Sequence, residues 1–415
     1  MKIAIIGSGI SGLSCSWLLS KGHKVDLFEK NSYFGGHSNT QKIKVNETDI
    51  YVDTGFIVFN EINYPNLCNL FKSLNVESYE SDMSFAFSKD KGALEYGGSN
   101  MSSIFGQKSN FLNLKFIKML FEIVRFYKSV EMDKEKFSFE TIDEYLQKKN
   151  YSDFFKYNHI YPMAASIWSS SLNDIKKYPL REFVDFFSNH GLLKIFDKPR
   201  WRTVLGGSRK YVEEIIRCKN INPIKNCNVK VVRRNGNFVE IKINKNIIKY
   251  DHVVVAVHAD QIKNIIENIK SNERKIFAKI QYKRNKVYLH CDESLMPKLK
   301  KVWSSWNYLE NGKNEISVTY WMNKLQKLET SKNIFVTLNP TQEPEKDKIY
   351  RIIDYEHPIF SAETFNAQKD IGLIQGENQT WFCGSYLGYG FHEDGIKSGL
   401  NVAERISGMT RKWLE

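Results

Sequence analysis

Gly7-Ser8-Gly9-Ile10-Ser11-Gly12 follows the apolar run Ile3-Ala4-Ile5-Ile6 and leads into a stretch that reads as a helix over residues 11–21. Residues 25–29 then read as a second short strand, which completes a βαβ opening. Each glycine has its own task in such a turn. Gly7 permits the tight reversal, Gly9 lets the backbone approach a pyrophosphate, and Gly12 lets the helix sit close to the strand. The helix N-terminus, which begins with Ile10 and Ser11, stabilises phosphate charge. Glu29 ends the second strand, with Lys30 beside it, and is placed to accept hydrogen bonds from ribose hydroxyls. A lone GxGxxG is a weak signal. Here strand, turn, helix and acid agree, so the stretch predicts a dinucleotide site on an α/β fold.

Outward from the turn, residues 46–59 read as strand and loop, 63–74 as helix and 99–109 as loop. Residues 111–130 read as a strongly apolar helix. Its charged residues Lys115, Lys118, Glu122 and Arg125 fall at spacings of 3, 4 and 3, and so share one stripe. The wide apolar remainder fits either a helix packed into a core or an interfacial or substrate-channel helix. Residues 138–198 are mostly helical and aromatic. A second glycine pair, Gly206-Gly207, leads into another helix within 202–217. Strands are expected at 229–232, 238–243, 252–257, 286–290 and 315–321, and the end, 380–405, reads as strand, glycine-rich loop and helix. No repeat or low-complexity linker separates these parts. Two interleaved domains are therefore expected: a dinucleotide domain from 1–80, 200–265 and 375–415, and a substrate domain from 81–199 and 266–374.

With 415 residues the chain has room for two domains and a sizeable core. Aromatic residues make up 13%, which argues against disorder and suits apolar pockets. The formal charge of +13 fits either an anionic partner or a general abundance of lysine along the chain. No nucleic-acid motif accompanies it, so nucleic acid is not an expected partner. Cys15, Cys68, Cys218, Cys227, Cys291 and Cys383 form no CxxC pair and no zinc-finger spacing. Free thiols, no expected metal and a cytoplasmic setting follow, with peripheral membrane contact as an option. No signal peptide and no charge-free span of transmembrane length is read.

Gly35-Gly36 lies six residues beyond Glu29, in Asn31-Ser-Tyr-Phe-Gly-Gly-His-Ser38. This extension resembles that of FAD-binding oxidoreductases of the glutathione-reductase and amine-oxidase type, where the glycine pair approaches the same pyrophosphate. An Arg usually follows the pair in those families. Here His37 and then Ser38 follow, which removes a permanent cation. Asp53-Thr54-Gly55-Phe56 resembles the segment beneath the flavin ribityl chain. Val229-Lys230-Val231 resembles the strand that meets adenine, and Val253 to Ala256 the strand passing the ADP half. The stretch Phe382-Cys-Gly384-Ser-Tyr386-Leu-Gly-Tyr389-Gly390-Phe391-His392-Glu393-Asp394-Gly395 resembles the strand, crossing loop and helix that face the flavin in the amine-oxidase superfamily.

Taken together, these segments resemble the flavin-containing amine-oxidase superfamily, closest to a bacterial branch of NAD/FAD-binding oxidoreductases linked to fatty-acid modification. The resemblance implies a Rossmann-like FAD domain interleaved with an α+β substrate domain. It implies FAD held without a covalent bond, since the loop from Ser385 to Gly390 has no cysteine. The implied activity is removal of hydride and a proton from an apolar substrate, most simply desaturation of a methylated or unsaturated fatty acyl chain. Alternatives are an amine oxidase making imine and peroxide, a non-catalytic flavoprotein, and an NAD(P)H-dependent reductase; the last lacks a second GxGxxG. Candidate active-site groups are His392 and Tyr386 in the C-terminal loop and His190 after a phenylalanine-rich run. Lys286 or its neighbour Asn285 matches the strand on which many amine oxidases place a lysine near flavin N5. A one-residue shift along a strand reverses the face, which leaves those two open.

Overall fold

The computed structural model describes residues 1–133, 140–168, 171–189, 191–194, 199–311 and 315–411. The strand Lys2–Ile6 is buried beyond Lys2 and can only lie in a sheet covered on both faces. It pairs in parallel with Lys24–Phe28 on one side and His252–Val255 on the other. The complete order of this five-stranded sheet is Ile221–Ile224, Lys24–Phe28, Lys2–Ile6, His252–Val255, Thr380–Phe382. All its pairings are parallel. A three-stranded antiparallel sheet, Val229–Arg234, Val239–Ile243 and Asn246–Tyr250, follows the outer strand.

The first helix spans Ile10–Leu19, and every one of its residues is buried. It packs on the last helix, His392–Ser407, so closely that no side chain fits at two positions of the contact. A Cβ on Gly395 would lie 2.6 Å from Ile10 Cγ2, and one on Gly399 would collide with the Ser11 carbonyl oxygen. The two ends of the chain therefore meet through glycines.

A seven-stranded sheet takes its strands from residues 85–97 and 282–358. Its strand Tyr282–His290 runs antiparallel to Ile349–Pro358, with Asn285 opposite Tyr355 and Lys286 opposite Asp354. Helices from residues 101–194 cover one side of it. Phe87 and Tyr308 on the sheet stack on one another at 5.4 Å and join a core with Phe116, Phe126, Phe155 and Phe183. Complete burial of each such phenylalanine contributes about 1.5–3 kcal/mol.

The apolar helix spans Leu114–Asp133, three residues later than expected. A short helix, Met101–Ile104, stands where only loop is expected, and a 3-10 turn, Lys108–Leu112, runs from that loop into the expected start of the apolar helix. The short helix exists because Asn100 and Ser103 form a reciprocal capping box. The charge stripe also needs correcting. Lys115, Lys118 and Arg125 are exposed, but Glu122 is buried, where its carboxylate accepts hydrogen bonds from the Ser152 N–H at 2.9 Å and the Ser152 hydroxyl. Leu114 and Phe121 point to solvent instead. Residue type alone does not reveal a helix's buried face when one acid finds an internal donor pair.

Candidate active site

Gly7 has φ +103°, a conformation that strains any residue with a side chain, and a Cβ there would lie 2.5 Å from the Ala256 oxygen. Gly12 has no room either, because a Cβ would collide with the Gly7 carbonyl. Gly9 differs from both: nothing lies within 4 Å of a Cβ built on it. The turn is thus packed on one side and open on the other. Gly36, at φ +59°, approaches Gly9 so closely that its Cβ would lie 3.1 Å from the Gly9 Cα. Gly35 holds this contact by donating its N–H to the Ser8 carbonyl at 3.1 Å. Two glycine turns therefore form one backbone cradle.

Glu29 stands at the rim. Its carboxylate accepts from the Ser8 N–H at 3.1 Å, the Ser8 hydroxyl at 2.6 Å and the Asn31 N–H at 2.9 Å. Lone pairs remain for ribose hydroxyls. Cradle and rim open on a cavity of about 1310 Å³. A pocket for one small molecule occupies roughly 300–1,000 Å³, so this one accommodates a dinucleotide and a substrate.

Of the residues expected to touch the cofactor, Gly7, Gly9, Ile10, Ser11, Glu29, Lys30, Gly36, His37, Gly55, Phe56, Ala256, Gly384, Phe391 and His392 line the cavity. Val231 is fully buried behind its strand, and its neighbours Val229 and Lys230 line the cavity in its place. Gly12, Gly35 and Gly395 act from behind, as close-packing positions. Glu393 faces away. Its carboxylate accepts from the Asn66 N–H at 2.9 Å, the Asn66 amide at 2.7 Å and the Leu67 N–H at 3.1 Å, and so caps the neighbouring helix Pro65–Ser73. Asp394 caps its own helix, accepting from the Tyr389 and Phe391 N–H groups at 3.0 and 2.9 Å, and burial lifts its carboxyl to about 6.

The segment around Gly55 is anchored from below. Asp53 is buried, which raises its pKa, and it accepts from the Ser208 N–H at 3.0 Å and the Gln326 amide at 2.8 Å. The second glycine pair thereby finds its use: Gly206 and Gly207, both at positive φ, turn the chain so that Ser208 reaches Asp53.

The candidate acid–base groups separate clearly. His392 stacks on Phe56 at 3.7 Å and is joined through Nε2 to the Tyr211 hydroxyl at 2.7 Å and to Ser38 at 3.3 Å. Burial lowers its pKa to about 3, and its place in the first turn of a helix opposes protonation further. It is a fixed neutral plate at neutral pH, unsuited to acid catalysis. Tyr386 lines the cavity, and its buried hydroxyl has no hydrogen-bond partner. Burial holds that phenol well above its ordinary pKa, so it is a donor in waiting and not a base. Lys286 lies on the solvent side of its strand, paired with Glu343 at 2.8 Å, and does not line the cavity. The inward neighbour is Asn285, which is buried and hydrogen-bonded to His357 at 3.1 Å. His190 lies outside the described residues.

Several cavity residues escape the sequence reading. Tyr355 and His357 alternate on one strand, and His258 follows another. His37 stacks on Tyr355 at 4.7 Å and lies 5.3 Å from His357 and 6.2 Å from His258, ring to ring. Burial, then repulsion from the other histidines, holds His37 well below the usual imidazole range. Burial lowers His357 to about 4. His37 Nε2 is buried without a partner beside the cradle. An unpaired imidazole nitrogen, an open Gly9 and a carboxylate rim together fit the expected FAD. Cys227 is the only cysteine lining the cavity among the described residues, and it stands beside Val229 at the end where adenine is expected.

Beyond the C-terminal loop the cavity becomes apolar. Met83, Phe85, Met163, Ile167, Phe186, Trp306 and Tyr320 line it together with Phe391, which stacks on Phe186 at 4.5 Å. Gln368 shapes the loop between the two regions, donating to the Tyr386 and Gly388 carbonyls at 3.0 and 2.7 Å.

A family profile for flavin containing amine oxidoreductases matches residues 10–345. A 15-cis-phytoene desaturase of Synechococcus elongatus is 37% identical over 78 residues, which span 19% of this chain and only 16% of that protein. A CLA-producing fatty acid isomerase from P. acnes superposes with a TM-score of 0.70 at 14% identity, over 98% of each chain. Cyclohexylamine oxidase from Brevibacterium oxydans superposes with a TM-score of 0.69 at 13% identity, covering 98% of this chain and 99% of that one. The backbone cradle, the carboxylate rim and a family match over most of the chain agree: the chain belongs to the flavin-containing amine oxidoreductases and is an FAD-dependent oxidoreductase.

Proposed function

We propose that the protein removes a hydride and a proton from an apolar substrate, leaving a carbon–carbon double bond in a fatty acyl chain. One observation carries this reading: Met83, Phe85, Met163, Ile167, Phe186, Trp306, Tyr320 and Phe391 line the cavity as one apolar group, while its charged lining residues, Glu29, Lys30, Lys230, Arg284, Asp354 and Glu356, come from the cradle and from strands at 229–234, 282–290 and 349–358. An ammonium substrate would lose its hydration there without a carboxylate in return. An acyl chain loses nothing and gains contact along its length. The partial similarity to a phytoene desaturase supports desaturation of an apolar chain.

When bound, FAD would supply the acceptor of both electrons and both hydrogens. The chain's own residues do the rest. The chamber walls exclude water and align the acyl chain with the C-terminal loop. His392, pinned by Tyr211, Ser38 and Phe56, forms a rigid neutral surface at the head of the last helix. The dipole of that helix favours negative charge at its N-terminus, as reduction of a flavin requires. Tyr386 offers its free hydroxyl as a hydrogen-bond donor to the same region.

The test is anaerobic mixing of the flavin-loaded protein with fatty acyl lipids and, separately, with a panel of amines. Bleaching of the flavin by a lipid, with a product two hydrogens lighter by mass spectrometry, is the expected result. Bleaching by amines alone, with peroxide released in air, would make the protein an amine oxidase. No bleaching by either class would leave a flavin-binding protein without this chemistry.

A further inference from the structure

Among the described residues, fifteen large apolar side chains are exposed, and seven of them lie between Met101 and Met132. Leu112 is 88% exposed, Leu114 83% and Phe121 72%. Leaving such side chains in water forgoes the burial that drives folding, so their concentration on one surface marks a contact with something else. The helix Leu114–Asp133 shows how the surface is built. Leu114, Lys118, Phe121, Arg125, Lys128 and Met132 recur at spacings of 4, 3, 4, 3 and 4, and all are exposed. Phe116, Met119, Phe126 and Val130 face the core instead. The outer stripe thus mixes apolar and basic residues, and Lys108, Phe111 and Leu112 in the preceding turn continue it.

We propose that this surface docks the protein on an anionic lipid bilayer. Charge selects the occupant. Lys108, Lys115, Lys118 and Lys128 form no ion pair among the described residues. The acids of the helix either turn inward, as Glu122 does, or stand at its C-terminal end, as Glu131 and Asp133 do. A second copy of this chain would set the same unneutralised lysines against each other, within a protein of net charge +13. An anionic headgroup layer neutralises them, while Leu112, Leu114 and Phe121 enter the acyl boundary beneath. No described helix is long and apolar enough to cross a membrane. This one lies on the surface of the bilayer. It also adjoins the chamber: Phe126 on its inner face packs at 6.4 Å from Phe183, on the same helix as the chamber residue Phe186. The docking surface stands whether or not the substrate is an acyl chain.

The test is co-sedimentation of the flavin-loaded full chain with phosphatidylcholine vesicles, with and without phosphatidylglycerol. The unaltered protein binds the anionic vesicles at least about tenfold better than the neutral ones. The triple variants Leu112→Ser/Leu114→Ser/Phe121→Ser and Lys108→Gln/Lys115→Gln/Lys118→Gln each lose about tenfold or more in vesicle binding. Both keep the flavin absorbance, which shows that they fold. Equal binding by a triple variant and the unaltered protein would overturn the proposal. So would a dimer in solution that the serine variant dissolves, which would assign the surface to a second copy. Vesicle binding and flavin bleaching are separate readouts, so failure of the acyl-substrate reading leaves this result intact.

Discussion

The cradle and the chamber adjoin one another and are built on opposite plans. The cradle is backbone: Gly7, Gly9, Gly12, Gly35 and Gly36 contribute what they lack. The chamber is side chain, assembled from Met83 and Phe85, Met163 and Ile167, Phe186, Trp306, Tyr320 and Phe391. One binds a ligand common to its family and consists of short local motifs. The other is where the proposed substrate would lie, and its parts are separated by more than three hundred residues, from Met83 to Phe391. The glycine cradle is therefore local in the chain, whereas the rest of the cofactor wall, including Ala256, Gly384 and His392, and the chamber are assembled from distant segments.

Two glycine substitutions test the cradle most severely. Gly9→Val places a side chain in open cavity, so the protein folds but its FAD affinity falls on the order of 100-fold or more, about 2.7 kcal/mol. Gly12→Val meets backbone and prevents folding. Flavin absorbance and thermal melts separate the two. If Gly9→Val retains flavin normally, the cradle is not the phosphate site.

The chamber should respond in the opposite way. Ile167→Asp puts a carboxylate into the apolar half and leaves the cradle untouched. Turnover of an acyl substrate falls by roughly 30–100-fold, while flavin content stays constant, because an uncompensated charge beside an apolar chain costs a few kcal/mol. Flavin loss in this variant would show that the two regions are one unit.

The histidines at the boundary give a smaller effect with a definite sign. In the apoprotein His37, His357 and His392 are held below their ordinary pKa, so the unfolded chain binds their protons more readily. Apoprotein stability therefore falls as pH drops below about 6.5. A bound pyrophosphate beside His37 favours the imidazolium, so FAD binding takes up a proton and tightens as pH falls. Equilibrium titrations should show affinity rising as pH falls. His37→Arg supplies a fixed cation and should flatten that slope. The smallest expected change is that of Lys286→Ala. Its ammonium pairs with Glu343 at the surface, so turnover stays within about twofold of the original.

The two plans also explain what the sequence reveals. Gly7 to Gly12, Glu29, Gly35-Gly36 and the C-terminal loop are legible because backbone conformation restricts residue choice locally. Val231 misses by a short step along its strand, since periodicity does not say which neighbour faces the ligand. Glu393 and Asp394 are adjacent acids at one helix start, and only packing decides that the first caps Pro65–Ser73 and the second caps its own helix. Tyr355, His357 and His258 give no local signal beyond an alternation in a strand. Their meeting depends on the pairing of strands far apart in the chain. The helix from Leu114 shows the same limit, because Glu122 turns inward only where Ser152 is there to receive it.

The contact of the first helix with the last, through Gly395 and Gly399, has a bearing on biosynthesis. Gly7 to Gly12 leave the ribosome well before their covering partner, the helix His392–Ser407, which is synthesised about 380 residues later. The strand Thr380–Phe382 likewise joins its sheet last. Until then the edge of His252–Val255 is bare and the first helix lacks its cover. Nascent chains would hold the apolar side chains of that helix in need of a chaperone, and the flavin would be captured only once the helix His392–Ser407 has emerged.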